Sequence, residues 1–212
     1  MTPSYWPLAD LRLTTGDMVL RPMTEPDLGP LADLLSEDVE QNPVFPSYGG
    51  RDGRRARGTT LHQTYWHSLG TWRPESWNLP LTVSVGGTPV GVQTLEADDF
   101  AARRTVDSSS WLTMTARGRG IGKRMRLAVL TLAFDGLGAE VAETSAWHGN
   151  AASLGVSRSL GYVDNGVFTH ADRGRVDEMR RMRLTRHAFA QQQHADVRIE
   201  GLSTCLPFFG VG

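Results

Sequence analysis

The feature that most constrains this chain is Arg117-x-x-Gly120-x-Gly122, set between a strand-like run ending near Met114 and a long amphipathic helix. Gly118, Gly120 and Gly122 place three glycines within five residues. Such a turn lets the backbone approach a ligand closely and point several N–H groups at one place. Those groups open a helix, whose dipole favours an anion there. Lys123, Arg124 and Arg126 follow in the first turns. Cations at a helix start are unfavourable by themselves, so their presence suits a multiply charged anion such as a pyrophosphate. A solvated basic turn, with glycines serving loop geometry only, is the plainer alternative.

The neighbours of this turn read clearly. Thr105 to Met114 is expected as a strand, with Val106, Ser108, Ser110, Leu112 and Met114 on one face and Trp111 on the other. The following helix runs from about Gly120 to Leu137. Its Ile121, Met125, Ala128, Val129, Leu132 and Ala133 make one core stripe, and Gly136 and Gly138 close it. Val141 to Trp147 is a second strand. Strand, helix and strand joined this way predict a right-handed parallel crossover. The glycine turn then lies at the carboxyl end of its strand, where open α/β sheets bind ligands. Asn150 caps a helix over 151–160, closed by Gly161, with Ala152, Val156 and Leu160 buried and Ser153 and Ser157 one turn apart.

The remaining segments frame this unit. Residues 1–16 read as an N-terminal arm, and 18–23 as a strand. Thr24 and Pro26 start a helix whose Leu28, Leu31, Leu34 and Leu35 form a stripe to about Ser36. Asn42 to Arg57 is loop-like and carries Arg51, Arg54, Arg55 and Arg57. It is either a solvated loop or a substrate-facing lid with a basic rim. A helix follows over 61–69. Leu81 to Val85, the Gly86-Gly87 turn and Val90 to Leu95 form a hairpin. Residues 162–168 and 178–184 form a closing antiparallel pair. A short helix over 187–194 and a strand over 197–200 precede a tail with Cys205 and Phe208-Phe209.

Composition bounds function rather than naming it. A chain of 212 residues is read as a single domain, long enough for a sizeable core. Its net charge of −1 gives no global pull toward nucleic acid or an anionic membrane. The single cysteine, Cys205, excludes an internal disulfide and a cysteine-based metal cluster, and fits a reducing cytoplasm. No metal is expected. The first residues lack a basic stretch followed by an apolar core, and no apolar run approaches membrane-spanning length.

Three signals together resemble the GCN5-related N-acyltransferase (GNAT) family. They are Arg117-x-x-Gly120-x-Gly122 after a strand, Asn150-x-x-Ser153 after the next strand, and Leu160-Gly161-Tyr162 closing the helix. Ser110-Trp111-Leu112 and Met182-Arg-Leu-Thr-Arg186 are similar to its RimJ/RimL-type branch. This likeness covers roughly residues 17–188. Trp6-Pro-Leu, Leu79-Pro-Leu, Val90-Gly-Val-Gln93, Val106-Asp-Ser and Val197 to Gly210 further resemble a bacterial member described as a GCN5-related N-succinyltransferase.

The resemblance implies an α/β fold with a mixed, mostly antiparallel central sheet and a parallel β-α-β crossover at the coenzyme centre. It implies one acyltransferase domain over 1–212, with 1–16 an N-terminal arm and 187–212 a C-terminal extension. Acetyl-CoA or succinyl-CoA would be the co-substrate, and the acceptor an amine on a protein N-terminus, a lysine or a small molecule. The residues implied to hold the coenzyme are Leu112, Thr113, Met114, Arg117, Gly118, Arg119, Gly120, Ile121, Gly122, Lys123, Asn150 and Ser153. A backbone N–H near Leu112 or Thr113 would steady the oxyanion, and Ser153 would lie near the sulfur. Ser157 stands where many members carry a tyrosine acid. Glu96, Asp107 and His148, near expected strand ends, are the candidate bases. For a succinyl donor, Arg51 to Arg57, His62 or Gln63 would meet the free carboxylate. The tail after residue 188 offers a homodimer contact. Rival functions are a CoA-binding regulator without turnover and a ribosome- or nucleic-acid-binding module through the basic turn.

Overall fold

One parallel strand pair sits inside a sheet that is otherwise antiparallel. The computed structural model describes residues 5–39, 53–172 and 175–212, so residues 42–52 of the expected basic loop, Arg51 among them, lie outside it. The chain begins with a 3-10 turn, Pro7–Asp10, and the hairpin β1 (Arg12–Thr15) and β2 (Met18–Pro22). Two helices follow, α1 (Glu25–Leu34) and α2 (Gly53–Gly70), and then the long hairpin β3 (Ser76–Val85) and β4 (Thr88–Asp98). Gly86 and Gly87 both hold positive φ, 55° and 82°, which a two-residue hairpin turn of this hand requires. A single turn, α3 (Phe100–Arg103), leads into β5 (Thr105–Leu112), α4 (Ile121–Thr131) and β6 (Val141–Trp147). The chain closes with α5 (Ala151–Ser159), β7 (Val163–Asp172), β8 (Arg175–Thr185), α6 (Arg186–Ala190) and β9 (Arg198–Glu200).

Among the described residues the nine strands run in the order β7-β8-β6-β5-β4-β3-β2-β1-β9. Only β5 and β6 pair in parallel, as the α4 crossover between them demands. Alternation along the strands separates two faces. Trp77, Leu79, Leu81 and Val83 of β3 join Val106 of β5 and the α4 stripe in the larger core cluster. All six stripe residues expected on α4 are buried, and a wide turn over Leu132–Gly136 extends the helix. Burying each of the larger side chains contributes about 1.5–3 kcal/mol. The opposite face carries Met23, Leu28, Leu31, Tyr65 and Val92, with Trp111 packed against them under α1 and α2. Trp111 and Leu112 thus divide between the two faces as expected.

Several local expectations are corrected. Residues 12–15 are not a free arm but β1, which pairs with both β2 and β9. The second helix starts at Gly53, so Arg54, Arg55 and Arg57 lie on a helix rather than in a loop. Met114 leaves the strand for a 3-10 turn and is 62% exposed. On α5 it is Leu154, Ser157 and Leu160 that are buried, whereas Ala152 is exposed. Val156 is half-buried and faces Gly122 of α4.

Candidate active site

Pairing between β5 and β6 stops after three residue pairs, the last being Asp107 with Glu143. Thr144 Oγ1 donates to the Ser108 carbonyl at 2.9 Å just beyond, and there the strands part. From Ser108 to Leu112 the inner edge of β5 pairs with no strand among the described residues. Thr113 N–H donates to Val90 O at 2.9 Å, on the β4 side. Ladder alternation then turns the N–H and C=O groups of Ser110 and Leu112 toward the gap. Thr113 N–H is therefore engaged in the sheet, while Leu112 N–H faces the gap.

The glycine turn crowns this gap. Gly118 and Gly120 hold φ of +71° and +75°, which favours glycine, and a Cβ on either would meet nothing within 4 Å. The turn is thus open on its outer side. Gly120 caps α4, so the N–H groups of Ile121, Gly122 and Lys123 lack partners within the helix. A Cβ on Gly122 would come within 3.6 Å of Val156 on α5 and 3.8 Å of Leu112. The end of β5, the start of α4 and α5 therefore converge. At the head of α5, Asn150 Oδ1 accepts from Ser153 N–H at 3.1 Å. Ser153 is half-buried there. Ser157 Oγ is turned inward and donates to the Ser153 carbonyl at 3.2 Å.

The cations of the turn divide by task. Arg117 Nε donates to Leu112 O at 3.0 Å, and its two terminal nitrogens reach Asp38 at 2.5 and 3.1 Å and Ser36 Oγ at 2.9 Å. Hydrogen bonds from Arg117 first, and then from Ser36, bring the Asp38 carboxyl down to about 2. Arg117 is a strap between the end of β5 and the segment after α1. Arg124 is held by Asp17 at 2.6 Å and Thr15 O at 2.7 Å. Arg126 is buried. Arg119 and Lys123 remain exposed beside the open turn.

Residues 17–163 match the profile of the acetyltransferase (GNAT) domain family. The chain belongs to the GNAT acetyltransferase family. Solved structures with this fold include Mycobacterium smegmatis RimJ in complex with CoA-disulfide. That match has a TM-score of 0.70 at 16% identity and covers 95% of each chain. A chimera of the spermidine N-acetyltransferase SpeG from Vibrio cholerae and hSSAT matches with a TM-score of 0.64 at 14% identity, covering 84% of this chain and 100% of that one. At these identities the structures speak for the fold. GNAT acetyltransferases use acetyl-CoA as co-substrate, and an open turn rich in N–H donors above a gap in the sheet fits such a molecule.

In this GNAT chain the acidic candidates lie along the strands from Leu112. Glu96 on β4 faces Asp107 on β5, and Asp107 faces Glu143 on β6, which makes a row of carboxylates across three strands. Leu112 is five residues further along β5, about 16 Å at a strand rise near 3.3 Å. The row lines a cavity of about 570 Å³ with Ser68 and His67 of α2 and Asn78 of β3. Asn78 Nδ2 donates to Glu96 Oε2, and Ser68 Oγ to Asn78 Oδ1 at 3.1 Å. Burial, then the Asp107 charge, pushes the Glu96 carboxyl above its ordinary range. Burial also raises Asp107, against the pull of its hydrogen bond from Ser108 N–H and of the Arg126 charge. His148 Nδ1 accepts from Arg180 Nε at 3.1 Å, so that nitrogen is already engaged. There is no group of His, Cys, Asp and Glu fit to hold a metal among the described residues.

Two contributors escaped sequence reasoning. Gly91 on β4 faces Leu112, and a Cβ there would lie 2.2 Å from Trp111 O. A lone glycine within a strand pattern is the signal that could have found it. The Ser36–Asp38 anchor for Arg117 had no local signal, because 79 residues separate Asp38 from Arg117.

Proposed function

We propose that the chain is an N-acyltransferase of the RimJ/RimL type. It moves an acetyl or succinyl group from acyl-CoA to a primary amine by direct attack within a ternary complex. The observation that carries this reading is the gap between β5 and β6, crowned by a glycine turn and abutting a carboxylate-lined cavity. The pyrophosphate lies on the N–H groups of residues 118–123, with Arg119 and Lys123 beside it. The pantetheine arm descends along the free edge of β5 and takes the place of the missing strand. Leu112 N–H steadies the oxyanion of the attacked thioester.

The amine enters from the α2 side, where the carboxylates favour a cation. It must lose a proton before attack. Glu96 and Asp107, both raised from the usual carboxylate value, are the bases, acting through a chain of waters across the distance to Leu112. Ser153 lies on the sulfur side and donates toward the leaving thiolate. A protein N-terminus, a lysine or a small polyamine all present the required ammonium. The test is mass spectrometry of CoA species co-purified with the protein, followed by turnover with an amine panel. A bound thioester and an acylated amine are expected. Tight CoA binding with no acylation of any amine would instead support a regulator.

A further inference from the structure

The side chain that heads the coenzyme turn is committed to other partners. Arg117 folds back over the end of β5, where its Nε donates to Leu112 O at 3.0 Å. Its terminal nitrogens hold both Asp38 oxygens, at 2.5 and 3.1 Å, and Ser36 Oγ, at 2.9 Å. Ser36 Oγ donates in turn to Asp38 Oδ1 at 2.6 Å. Val39 N–H donates to Ser36 O at 3.2 Å and closes the anchoring turn. A guanidinium fork on a carboxylate fixes orientation as well as distance. With its charge matched by Asp38, Arg117 has little attraction left for a phosphate. Arg119 and Lys123 keep that task.

The anchor belongs to the layer on the amine side. Ser36 and Asp38 follow directly on α1, whose other end is held to β2 by a second fork, Arg21 to Asp27 at 2.6 and 2.7 Å. α1 in turn carries α2. A Cβ on Gly58 of α2 would lie 3.2 Å from Ala32 Cβ of α1, so the two helices meet closely there. α2 walls the carboxylate-lined cavity with Thr64, His67 and Ser68. One guanidinium therefore joins the turn that receives the coenzyme to the layer that receives the amine. The Arg117 and Asp38 side chains are 36% and 59% exposed, so their pair adds little to stability. Geometry is what it can set, since a misplacement of about 1 Å between reactants costs up to about a hundredfold in rate. We propose that Arg117 is a positioning residue. It holds the end of β5 and its turn in register with the α1–α2 layer, so that thioester and amine meet aligned. Ser36 and Asp38 are its anchors.

This role rests on the acyltransferase reading above, so the experiment reads the two separately. Wild type, Arg117→Lys, Arg117→Met, Asp38→Asn and the Arg117→Met/Asp38→Asn double variant are compared. Calorimetry follows CoA binding. Initial rates are taken with acetyl-CoA and succinyl-CoA on spermidine, an alanine-initiated peptide and Nα-acetyl-lysine amide. Arg117→Met and Asp38→Asn should each lower kcat about tenfold, with CoA affinity and the KM for acyl-CoA within about threefold of wild type. The double variant should be no slower than either single one, because both break the same link. Arg117→Lys keeps the charge but cannot span Leu112 O and Asp38 together, and should fall with them. A phosphate ligand would behave otherwise. Arg117→Met would then chiefly weaken CoA, Arg117→Lys would largely spare it, and Asp38→Asn would tighten it by freeing the cation. That pattern would overturn the proposal, and so would an unchanged kcat in Asp38→Asn. Should Arg117→Met fail to fold, the isosteric Asp38→Asn carries the test. If the wild type bound no CoA, or acylated none of the three amines with either donor, the acyltransferase reading would fall first and the positioning role with it.

Discussion

Gly91→Ala tests whether the close approach of β4 to the end of β5 shapes the coenzyme site. An added Cβ would lie 2.2 Å from Trp111 O and 3.0 Å from Leu112 Cα. Carbon and carbonyl oxygen ordinarily meet at about 3.3 Å or more, so the strands must part by roughly 1 Å. The Thr113 N–H to Val90 O bond, now 2.9 Å, would then stretch beyond bonding range. Its loss costs about 1 kcal/mol, and the overpacking itself about 1–3 kcal/mol. Replacing a flexible glycine returns about 0.4–1 kcal/mol through the unfolded chain. The net destabilisation is about 1–3 kcal/mol, a fall of about 0.3–1.5 M in the urea midpoint at an m-value near 2–3 kcal/mol/M. Leu112 N–H moves with the strand, so CoA affinity should fall about fivefold, worth about 1 kcal/mol. Gly29→Ala on α1, where a Cβ meets nothing within 4 Å, is the control and should be neutral or slightly stabilising. If Gly91→Ala matched that control in both urea midpoint and CoA affinity, the close-approach reasoning would be refuted.

Gly120→Glu should weaken CoA binding by at least tenfold in calorimetry, since it strains a positive φ and sets a carboxylate beside the phosphate position; unchanged affinity would move the pyrophosphate elsewhere. The acid limb of kcat/KM is expected above the ordinary carboxylate range. Glu96→Gln or Asp107→Asn should shift or flatten it, and a limb untouched by both would acquit these residues. Because their folded pKa values are raised, the native state holds more protons than the unfolded chain just above the unfolded pKa. Stability should therefore fall as pH rises through that window, and Glu96→Gln should remove part of the slope in pH-resolved urea melts. Asp38 is the opposite case. The stabilisation from its Arg117 pair is complete above about pH 4 and is lost as pH falls through about 2. Both side chains are partly exposed, so screening limits the pair to about 0.2–1 kcal/mol; Asp38→Asn should lower stability at pH 7 by that much and by far less at pH 2.

The parts legible in the sequence were those decided by local pattern. Val141–Trp147 reads as a strand and is one, and the α4 stripe is buried residue for residue. The glycine turn needed only its own backbone. What stayed hidden depends on partners far along the chain. Four residues of β1 are too few to show alternation, and their pairing with β9 is invisible locally. Arg126 reads as a surface cation until the sheet closes over it. Ala152 and Leu154 exchange roles because the angle at which α5 meets α4 is a tertiary outcome. Thr113 N–H is engaged by a ladder bond to Val90 whose phase cannot be counted before β4 is in register.

The pairing of β1 with β9 also governs how the chain must be built. During synthesis β1 and β2 emerge long before Arg198–Glu200, and until then Arg12–Thr15 presents a row of unsatisfied peptide groups. Such an unguarded border invites wrong partners on the ribosome. The late segment also brings Phe209 to Trp77, with ring centres 4.9 Å apart, and seats Cys205 out of solvent. A nascent chain that stalls before Arg198 would thus carry an almost complete catalytic half and an unsealed flank. Such a product should bind coenzyme yet clump.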